Sequence, residues 1–223
     1  RSSLSWGIPV TAVELIPSVP ALFGYYHTDA GAVLAQPGAR IVVDDGRRFL
    51  ERTRETFDLI TVDPPPPVEA AGSSLLYSEE FFAEARSRLA PDGILQQWLP
   101  TAEPVVIASV ARAITHAFPY VRAFLSSEGW GVHFLASSSP IPRAGASTLA
   151  ARLPSRAAAD LIEWSPRATP ESRFEAVVSQ EISIDHLIAL APHASSLKDD
   201  LPVNEYYFIR RILSPDPAAG SSH

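Results

Sequence analysis

The sequence contains no cysteine and no methionine, and Lys198 is the single lysine among its 18 basic residues. Without cysteine the chain has no disulfide framework and no thiolate chemistry. No run of 18 or more apolar residues is present, so the sequence predicts no membrane-spanning helix and no membrane contact by this chain. The net charge of −7 argues against a nucleic-acid partner, because domains that bind nucleic acids are normally basic.

The composition is that of a folded protein. A length of 223 residues with 46% hydrophobic residues is enough for one large domain, or for one domain with an appendage. Since the chain begins at Arg1 without an initiator methionine, we expect it to be part of something longer or the product of processing. The histidines lack the spacing of metal-binding motifs, so no metal site is predicted.

Two short apolar segments that end in carboxylates are the most informative feature of the sequence. Residues 41–46 read IVVDDG, and residues 57–63 read FDLITVD and run into four prolines. In open α/β sheets, ligands bind beyond the carboxyl ends of the strands. Two neighbouring strands that end in aspartate therefore predict a cleft for a polar or cationic small molecule. The alternative is that each aspartate caps the following helix or turn.

Strands and helices are expected to alternate through the first half of the chain. The predicted strands are 10–15, 40–44, 58–63, 94–99, 120–126 and 131–136, and the predicted helices are 19–35, 46–53, 78–89 and 104–118. Pro91-Asp92-Gly93 is predicted to form a turn, and the last two strands to form a hairpin. This order predicts an α/β fold with a doubly wound sheet and an antiparallel C-terminal hairpin.

The remaining chain is expected to be mostly helical. Residues 137–140 read SSSP and resemble a linker. We therefore predict a first domain at 1–137, a helical C-terminal appendage at 138–214 and a tail at 215–223. Within the appendage, short helices are predicted at 147–153, 155–164, 171–180 and 184–191, and a final helix or strand at 206–213.

Several of these segments together resemble one family. They are Glu14, Asp44-Asp45-Gly46, Asp63, LYSEEFF at 76–82 and PDGIL at 91–95. The combination resembles the spermidine synthase (polyamine aminopropyltransferase) family over roughly residues 8–137. The sequence DDLPVNEY at 199–206 resembles the ending of bacterial spermidine-synthase-like proteins, some of which are fused to a transporter-like membrane domain.

The resemblance implies a fold and a co-substrate. The fold is the Rossmann-like doubly wound sheet of S-adenosylmethionine-dependent methyltransferases. The co-substrate is decarboxylated S-adenosylmethionine or S-adenosylmethionine, without a metal. The resemblance also implies a cytoplasmic protein, or the cytoplasmic part of a larger membrane protein.

The resemblance also implies roles for individual residues. Glu14 matches the carboxylate that binds the ribose hydroxyls of the donor, which agrees with the general behaviour of acidic residues at strand ends. Asp45, beside Asp44, matches the residue that accepts a hydrogen bond from the adenine amino group, and Gly46 permits close approach. Asp63 matches the catalytic aspartate that orients the attacking amine and accepts its proton.

The acceptor in this family is a small-molecule amine. Tyr77, Gln97 and Trp98 are the residues expected to line its pocket, with ordinary core packing as the alternative for Tyr77 and Trp98. The family usually carries a second aspartate three residues after the first, and Pro66 stands there in this chain. Because a buried ammonium needs a partner, this departure favours an acceptor other than putrescine.

A second departure lies upstream of Glu14. Proteins of this fold bind the nucleoside with a Gly-rich turn after the first strand, and no G-x-G precedes Glu14. The first strand and its Gly-rich loop are therefore expected to be missing. The strands ending at Glu14 and Asp63 would then pair directly, or another chain would fill the slot. We expect a rearranged sheet or a homo-oligomer.

Two classes of function remain open at the level of the sequence. The first is an enzyme that transfers an aminopropyl or other alkyl group from a thionucleoside sulfonium to an amine. The second is a catalytically altered or inactive module that binds a nucleoside or serves regulation or assembly. A hydrolase on the same scaffold is a more distant alternative. The retained carboxylates favour the enzyme, and the missing Gly-rich turn and Pro66 favour the altered module.

Overall fold

The computed structural model describes residues 1–64, 68–205 and 212. Within them the strands are β1 (Val10–Glu14), β2 (Ala39–Val43), β3 (Phe57–Val62), β4 (Leu89–Leu99), β5 (Tyr120–Leu125), β6 (Val132–Ser137) and β7 (Glu181–Ile182). The helices are α1 (Ser2–Ser5), α2 (Ser18–Ala21), α3 (Phe23–Tyr26), α4 (Ala30–Leu34), α5 (Gly46–Arg52), α6 (Glu79–Ser87), α7 (Pro104–Ala117), α8 (Ala146–Ala151), α9 (Ser155–Ile162), α10 (Pro170–Val178) and α11 (Ile184–Ala189), together with a 3₁₀ helix at Ser73–Leu76.

The described strands form two sheets. β1 and β2 make a parallel two-stranded sheet, and the other five strands make a mixed sheet in the order β3-β4-β6-β5-β7. β3 and β4 are parallel, whereas β4, β6 and β5 pair antiparallel. The predicted α/β fold with its antiparallel hairpin is therefore confirmed. In the part of the chain that the structure describes, no ladder joins β1 to β3, so the direct pairing of these two strands is not found.

Alternating side chains of β4 and β6 explain how the larger sheet builds its core. Leu95, Leu99 and Phe134 are fully buried on one face, with α6 and α7 supplying further buried apolar side chains. The intervening residues of both strands are only half-buried. One face of this sheet is thus committed to the core, and the other is accessible to a ligand.

Local sequence signals set the ends of the helices that flank this sheet. The hydroxyl of Ser78 accepts a hydrogen bond of 3.2 Å from the backbone N–H of Phe81 and caps α6. Glu79 and Glu80 lie in the first turn of that helix, where the helix dipole favours acidic side chains. Pro104 occupies the first position of α7, where its missing N–H costs nothing.

Two predicted elements differ from the structure. The predicted helix 19–35 is instead three short helices, α2, α3 and α4, with a turn at residues 28–29 before α4. The predicted turn at Pro91-Asp92-Gly93 is wrong, since β4 runs through it with a register shift against β3. At Gly93 a side chain would lie 2.9 Å from the carbonyl oxygen of Phe57, so glycine permits this close approach.

The chain divides into two compact units. The first contains residues 1–54 and 142–179, and the second contains residues 55–141 and the chain from residue 180 onward. The domain boundaries drawn from the sequence, at 1–137, 138–214 and 215–223, stay a prediction.

Prolines 65–67 and the predicted element at 206–213 lie outside the described residues, apart from Ile212. None of the helices in the described ranges has the length and apolar character needed to cross a membrane.

Candidate active site

The predicted donor-binding residues lie at one edge of the two-stranded sheet in the first unit. Glu14 is the last residue of β1, and Asp44 and Asp45 directly follow β2. Because the two strands are parallel and Glu14 pairs in register with Val43, their carboxyl ends meet at the same edge. The backbone N–H of Asp44 donates to the carbonyl oxygen of Glu14 at 3.2 Å. The structure thus brings these three residues to the same edge of the sheet.

Each of these carboxylates is held by the local backbone through one oxygen. Glu14 Oε1 accepts from the N–H of Ile16 at 2.8 Å, and Asp44 Oδ1 accepts from the N–H of Asp45 at 2.9 Å. Asp45 Oδ1 accepts from the N–H of Arg48 at 2.9 Å and caps α5.

The second oxygen of each carboxylate has no hydrogen bond within residues 1–64, 68–205 and 212. A carboxylate accepts several hydrogen bonds. The sequence left two alternatives for these aspartates, which were capping of the following backbone and ligand binding. The two roles are compatible, because one carboxylate oxygen caps and the other can bind a ligand. A Cβ added to Gly46, the first residue of α5, would meet no heavy atom within 4 Å, so the space beside Asp45 is open.

The predicted acceptor-side residues lie in the second unit, around the end of β3. Asp63 follows β3 and is exposed. Tyr77 is fully buried, and its hydroxyl has no hydrogen-bond partner among the described residues. Burial raises the pKa of Tyr77 well above its ordinary value, and the negative charge of Asp63 raises it further. Tyr77 is therefore a neutral phenol within the electrostatic influence of the predicted catalytic aspartate.

A stacked pair of side chains lies on the accessible face of the larger sheet. Trp98 on β4 is the cross-strand partner of His133 on β6, and their rings stack with centroids 6.5 Å apart and planes inclined by 25°. The side-chain nitrogen of Gln96 lies 3.2 Å from Nδ1 of His133. Nε1 of Trp98 donates to the carbonyl oxygen of Trp130 at 3.1 Å. The indole and the imidazole are thus held at fixed positions.

The carboxylate of Asp63 influences the pKa of His133. Burial lowers the pKa of His133, and the carboxylate of Asp63 partly opposes this effect. His133 is consequently a neutral imidazole at neutral pH. Asp63 acts on both Tyr77 and His133, so the structure places a carboxylate, a phenol and an imidazole in one electrostatic neighbourhood.

Gln97 lies apart from Trp98 because successive side chains of a strand point to opposite faces. Gln97 shares the buried face with Leu95 and Leu99 and is itself fully buried. Its Nε2 donates to the carbonyl oxygen of Trp98 at 2.9 Å, while its Oε1 has no partner among the residues described. The two residues predicted together for the acceptor pocket therefore do not share a face.

Sequence reasoning missed His133 and Gln96. His133 stands alone in the sequence, and its proximity to Trp98 depends on the antiparallel register of β4 and β6. The hairpin was predicted, but its partner strand and register were not. A cross-strand alignment of the two strands would have been the signal.

Neither metal ligands nor a cavity in the second unit point to another site among the described residues. Among residues 1–64, 68–205 and 212, no group of three histidine or acidic side chains could hold a metal ion. A cavity of about 620 Å³ is lined by Glu79, His116, Ser195, Ser196, Lys198, Asp200 and Leu201. None of these is a predicted site residue, and the cavity is open to solvent. The residues at the strand ends stay the predicted site.

Comparison with known proteins supports the same family. The Spermine/spermidine synthase domain matches residues 15–127. A polyamine aminopropyltransferase of Sulfurisphaera tokodaii is 31% identical over 88 residues, which are 39% of this chain and 29% of that protein. The chain thus matches less than a third of the length of this relative.

Solved structures show the same fold. A probable spermidine synthase from Corynebacterium glutamicum superposes with a TM-score of 0.57 at 18% identity, covering 85% of this chain and 63% of that one. A spermidine synthase in complex with the transition-state analogue AdoDATO gives a TM-score of 0.54 at 17% identity, covering 81% of this chain and 59% of that one. The family match extends over just over half of the 223 residues, and the chain therefore belongs to the spermine/spermidine synthase domain family.

Proposed function

We propose that the chain transfers an aminopropyl group, or another alkyl group, from the sulfonium of a thionucleoside to a small-molecule amine. The observation that carries this proposal is that carboxylates end or directly follow strands in each unit, where ligands bind in open α/β sheets. Glu14 ends β1 and Asp44 and Asp45 follow β2 in the first unit, and Asp63 follows β3 in the second. A cytoplasmic location, alone or as the cytoplasmic part of a larger membrane protein, belongs to the same proposal.

The donor is decarboxylated S-adenosylmethionine or S-adenosylmethionine. The carboxylate oxygens of Glu14, Asp44 and Asp45 that have no hydrogen bond among the described residues suit a ligand rich in donors. Glu14 would accept from the ribose hydroxyls and Asp45 from the adenine amino group, beside the open space at Gly46. The solved spermidine synthase with AdoDATO supports a ligand of this type.

The reaction needs little covalent chemistry from the protein. The lone pair of the neutral amine attacks the carbon next to the sulfonium, so that a C–N bond forms and the C–S bond breaks. The bonding electrons return to sulfur and leave a neutral thioether. The amine then loses its extra proton to the carboxylate of Asp63. Positioning supplies most of the acceleration, because sulfonium is already a good leaving group.

Tyr77, Gln97 and Trp98 remain the proposed acceptor residues, and His133 joins them. Trp98 presents an aromatic surface, which favours a cationic or apolar amine chain. Tyr77 stays neutral beside Asp63 and keeps a hydroxyl that can donate or accept. Gln97 lies on the buried face, opposite Trp98, so its proposed role is to support the pocket from behind, where its Oε1 has no partner among the described residues.

A second candidate is a module that binds the nucleoside without transferring a group. Pro66 favours it, since this residue stands where the family keeps a second aspartate. The two candidates differ in one measurable property. Both bind the donor, but only the enzyme consumes it when an amine is supplied.

Calorimetric titration tests the donor side. We expect heat of binding from S-adenosylmethionine, its decarboxylated form or methylthioadenosine, and a loss of that heat in Asp45→Ala. Because Asp45 also caps α5, the variant loses about 1 kcal/mol of stability as well. Thr169→Ala is the matched control, since it removes only the cap of α10 in the same unit. No heat from any of the three ligands would contradict both candidates.

Turnover with a panel of amines tests the role of Asp63. We expect Asp63→Asn to lower kcat by about 10²- to 10⁴-fold, the usual contribution of a general base. Asp58→Asn is the control, because Asp58 is an exposed carboxylate on the same strand. Equal activity of Asp63→Asn and the wild type would remove Asp63 from the mechanism. Donor binding without turnover of any amine would favour the second candidate.

A further inference from the structure

Glu205 binds a surface segment that lies more than 130 residues away in the sequence. Its Oε1 accepts hydrogen bonds from the backbone N–H of Gly72 at 3.0 Å and of Ser74 at 3.1 Å. The hydroxyl of Ser74 donates to the same oxygen. Three donors thus converge on one oxygen of a carboxylate, an arrangement in which hydrogen bonds are strong.

Asn204 binds the other end of the same segment. Asn204 is fully buried, and its Nδ2 donates to the carbonyl oxygen of Val68 at 2.6 Å and to Ser73 Oγ at 2.8 Å. Ser73 Oγ in turn donates to the carbonyl oxygen of Val68 at 2.5 Å. Val68 is only 1% exposed. We call Asn204 and Glu205 the C-terminal anchor.

The anchored segment, residues 68–74, has little regular structure of its own. Gly72 adopts a positive φ of 83°, which favours glycine. The N–H of Ser73 donates to the carbonyl oxygen of Ala70 at 3.1 Å, and the 3₁₀ helix follows directly. The side chains of Asn204 and Glu205 therefore supply much of what fixes this segment.

The segment links the two proposed acceptor-side residues. Asp63 precedes it in the chain, and Tyr77 directly follows the 3₁₀ helix that begins within the segment at Ser73. The N–H of Tyr77 donates to the carbonyl oxygen of Ser74 at 2.9 Å, and Ser74 is itself bound to Glu205. A displacement of the segment would therefore also displace Tyr77.

We propose that Asn204 and Glu205 are positioning residues that hold Tyr77 in place and so determine how well the acceptor amine binds. The proposal rests on the proposed function for its kinetic consequence. Its structural consequence, the placement of Tyr77, can be measured whether or not the chain is active.

The first test follows the ionisation of Tyr77 by ultraviolet difference absorbance. The signal of Tyr77 is the difference between each protein and its Tyr77→Phe counterpart. In the wild type we expect Tyr77 to stay neutral through the range in which exposed tyrosines ionise, at about pH 10. In Glu205→Ala we expect it to ionise in that ordinary range, because the released segment admits water. Glu205→Gln, which keeps one acceptor oxygen, should behave in between.

Asp185→Asn is the control, since Asp185 is an exposed carboxylate of the same unit. Circular dichroism at each pH shows that the variants remain folded, and Ser74→Ala is a milder variant should Glu205→Ala fail to fold. Unchanged ionisation of Tyr77 in Glu205→Ala, or in Ser74→Ala if that variant takes its place, would overturn the proposal.

The second test is kinetic. We expect Glu205→Gln to raise KM for the amine about tenfold, the equivalent of one hydrogen bond to a charged group, and to leave KM for the donor unchanged. A parallel rise of both constants would mean a general structural defect and would overturn the proposal. If the wild type turned over no amine, the proposed function would fail, and the ionisation of Tyr77 would still decide the role of the anchor.

Discussion

At the scale of single residues, Tyr77 is the most unusual group of the second unit. A phenol hydroxyl that is fully buried without a hydrogen bond among the described residues costs folding free energy. Such groups persist where a ligand or a reaction needs them. The proximity of Asp63 makes a ligand the simplest reason for this one.

We expect Tyr77→Phe to raise the free energy of unfolding of the ligand-free protein by about 1 kcal/mol, because the unpaired hydroxyl is removed while the ring still fills its space. Chemical denaturation measures this change. Tyr120→Phe is the matched control, since Tyr120 is exposed and should change stability little. A loss of stability in Tyr77→Phe would show that the hydroxyl is hydrogen-bonded in the folded protein.

The charge of Asp63 can be detected at His133. Since the carboxylate raises the pKa of His133 against the effect of burial, Asp63→Asn should lower that pKa further. NMR titration of the imidazole measures it, and Asp58→Asn is the control. An unchanged pKa in Asp63→Asn would contradict the proximity of the two residues.

The same depressed pKa has a consequence for stability. The unfolded chain binds the proton of His133 at about pH 6.5, before the folded chain does. The contribution of His133 to stability is therefore present above that pH and is lost as the pH falls through the lower, folded-state pKa.

At the scale of elements, the β5–β6 hairpin depends on one glycine. Gly131 has a φ of 108°, and a side chain there would lie 2.1 Å from the carbonyl oxygen of Leu99. The hairpin also carries Trp130, whose carbonyl oxygen binds Trp98. The close approach of the hairpin to β4 therefore supports the stacked pair of Trp98 and His133.

We expect Gly131→Ala to lower the free energy of unfolding by at least about 3 kcal/mol, because the substitution introduces both backbone strain and a steric clash. Gly129→Ala is the control: its φ of 79° is also positive, but no heavy atom lies within 4 Å of the added carbon. That variant should cost about 1 kcal/mol. Equal costs in thermal or chemical unfolding would contradict the close approach.

The elements that could be predicted from the sequence are those with strong local signals. Ser78 marked the start of α6 and Pro104 the start of α7, and the aspartates marked the ends of β2 and β3. β7 was missed because a strand of two residues has no periodicity of its own. The turn at 91–93 was wrong because a Pro-Asp-Gly sequence can also be accommodated in a long strand with a register shift.

The candidate site was predictable only in part for a related reason. The carboxylates follow strands directly, so their position is a local property of the chain. The contact of His133 with Trp98 and the binding of Glu205 to Ser74 depend on pairing between remote segments. The opposite faces of Gln97 and Trp98 follow from strand alternation, which could have separated them beforehand.

At the scale of the whole molecule, several strands expose large apolar side chains. Val43 on β2 is 52% exposed and Leu59 on β3 is 53% exposed, and Ile41 on β2 is exposed as well. Exposed apolar side chains on short sheets favour association with another chain. This agrees with the homo-oligomer expected from the sequence, which stays a proposal.

We expect sedimentation velocity to give a multiple of the monomer mass at micromolar concentration. Val43→Lys should shift the protein toward the monomer, because a charge on β2 opposes association. Val177→Lys is the control, since Val177 is similarly exposed but lies on α10. A monodisperse monomer for the wild type at every concentration would contradict the proposal.

The distance along the chain between Glu205 and the segment it binds has a consequence for biosynthesis. Gly72 and Glu205 are separated by 133 positions, so the ribosome must release nearly all of the described chain before their hydrogen bond can form. The carboxylates of the first unit have no such requirement, because the backbone donors that hold them lie within three positions. On a growing chain, the contacts that would hold the nucleoside can therefore form early, while Tyr77 acquires its final surroundings only after residue 205 has been synthesised. A nascent chain arrested before residue 204 would carry the first set of contacts without the second.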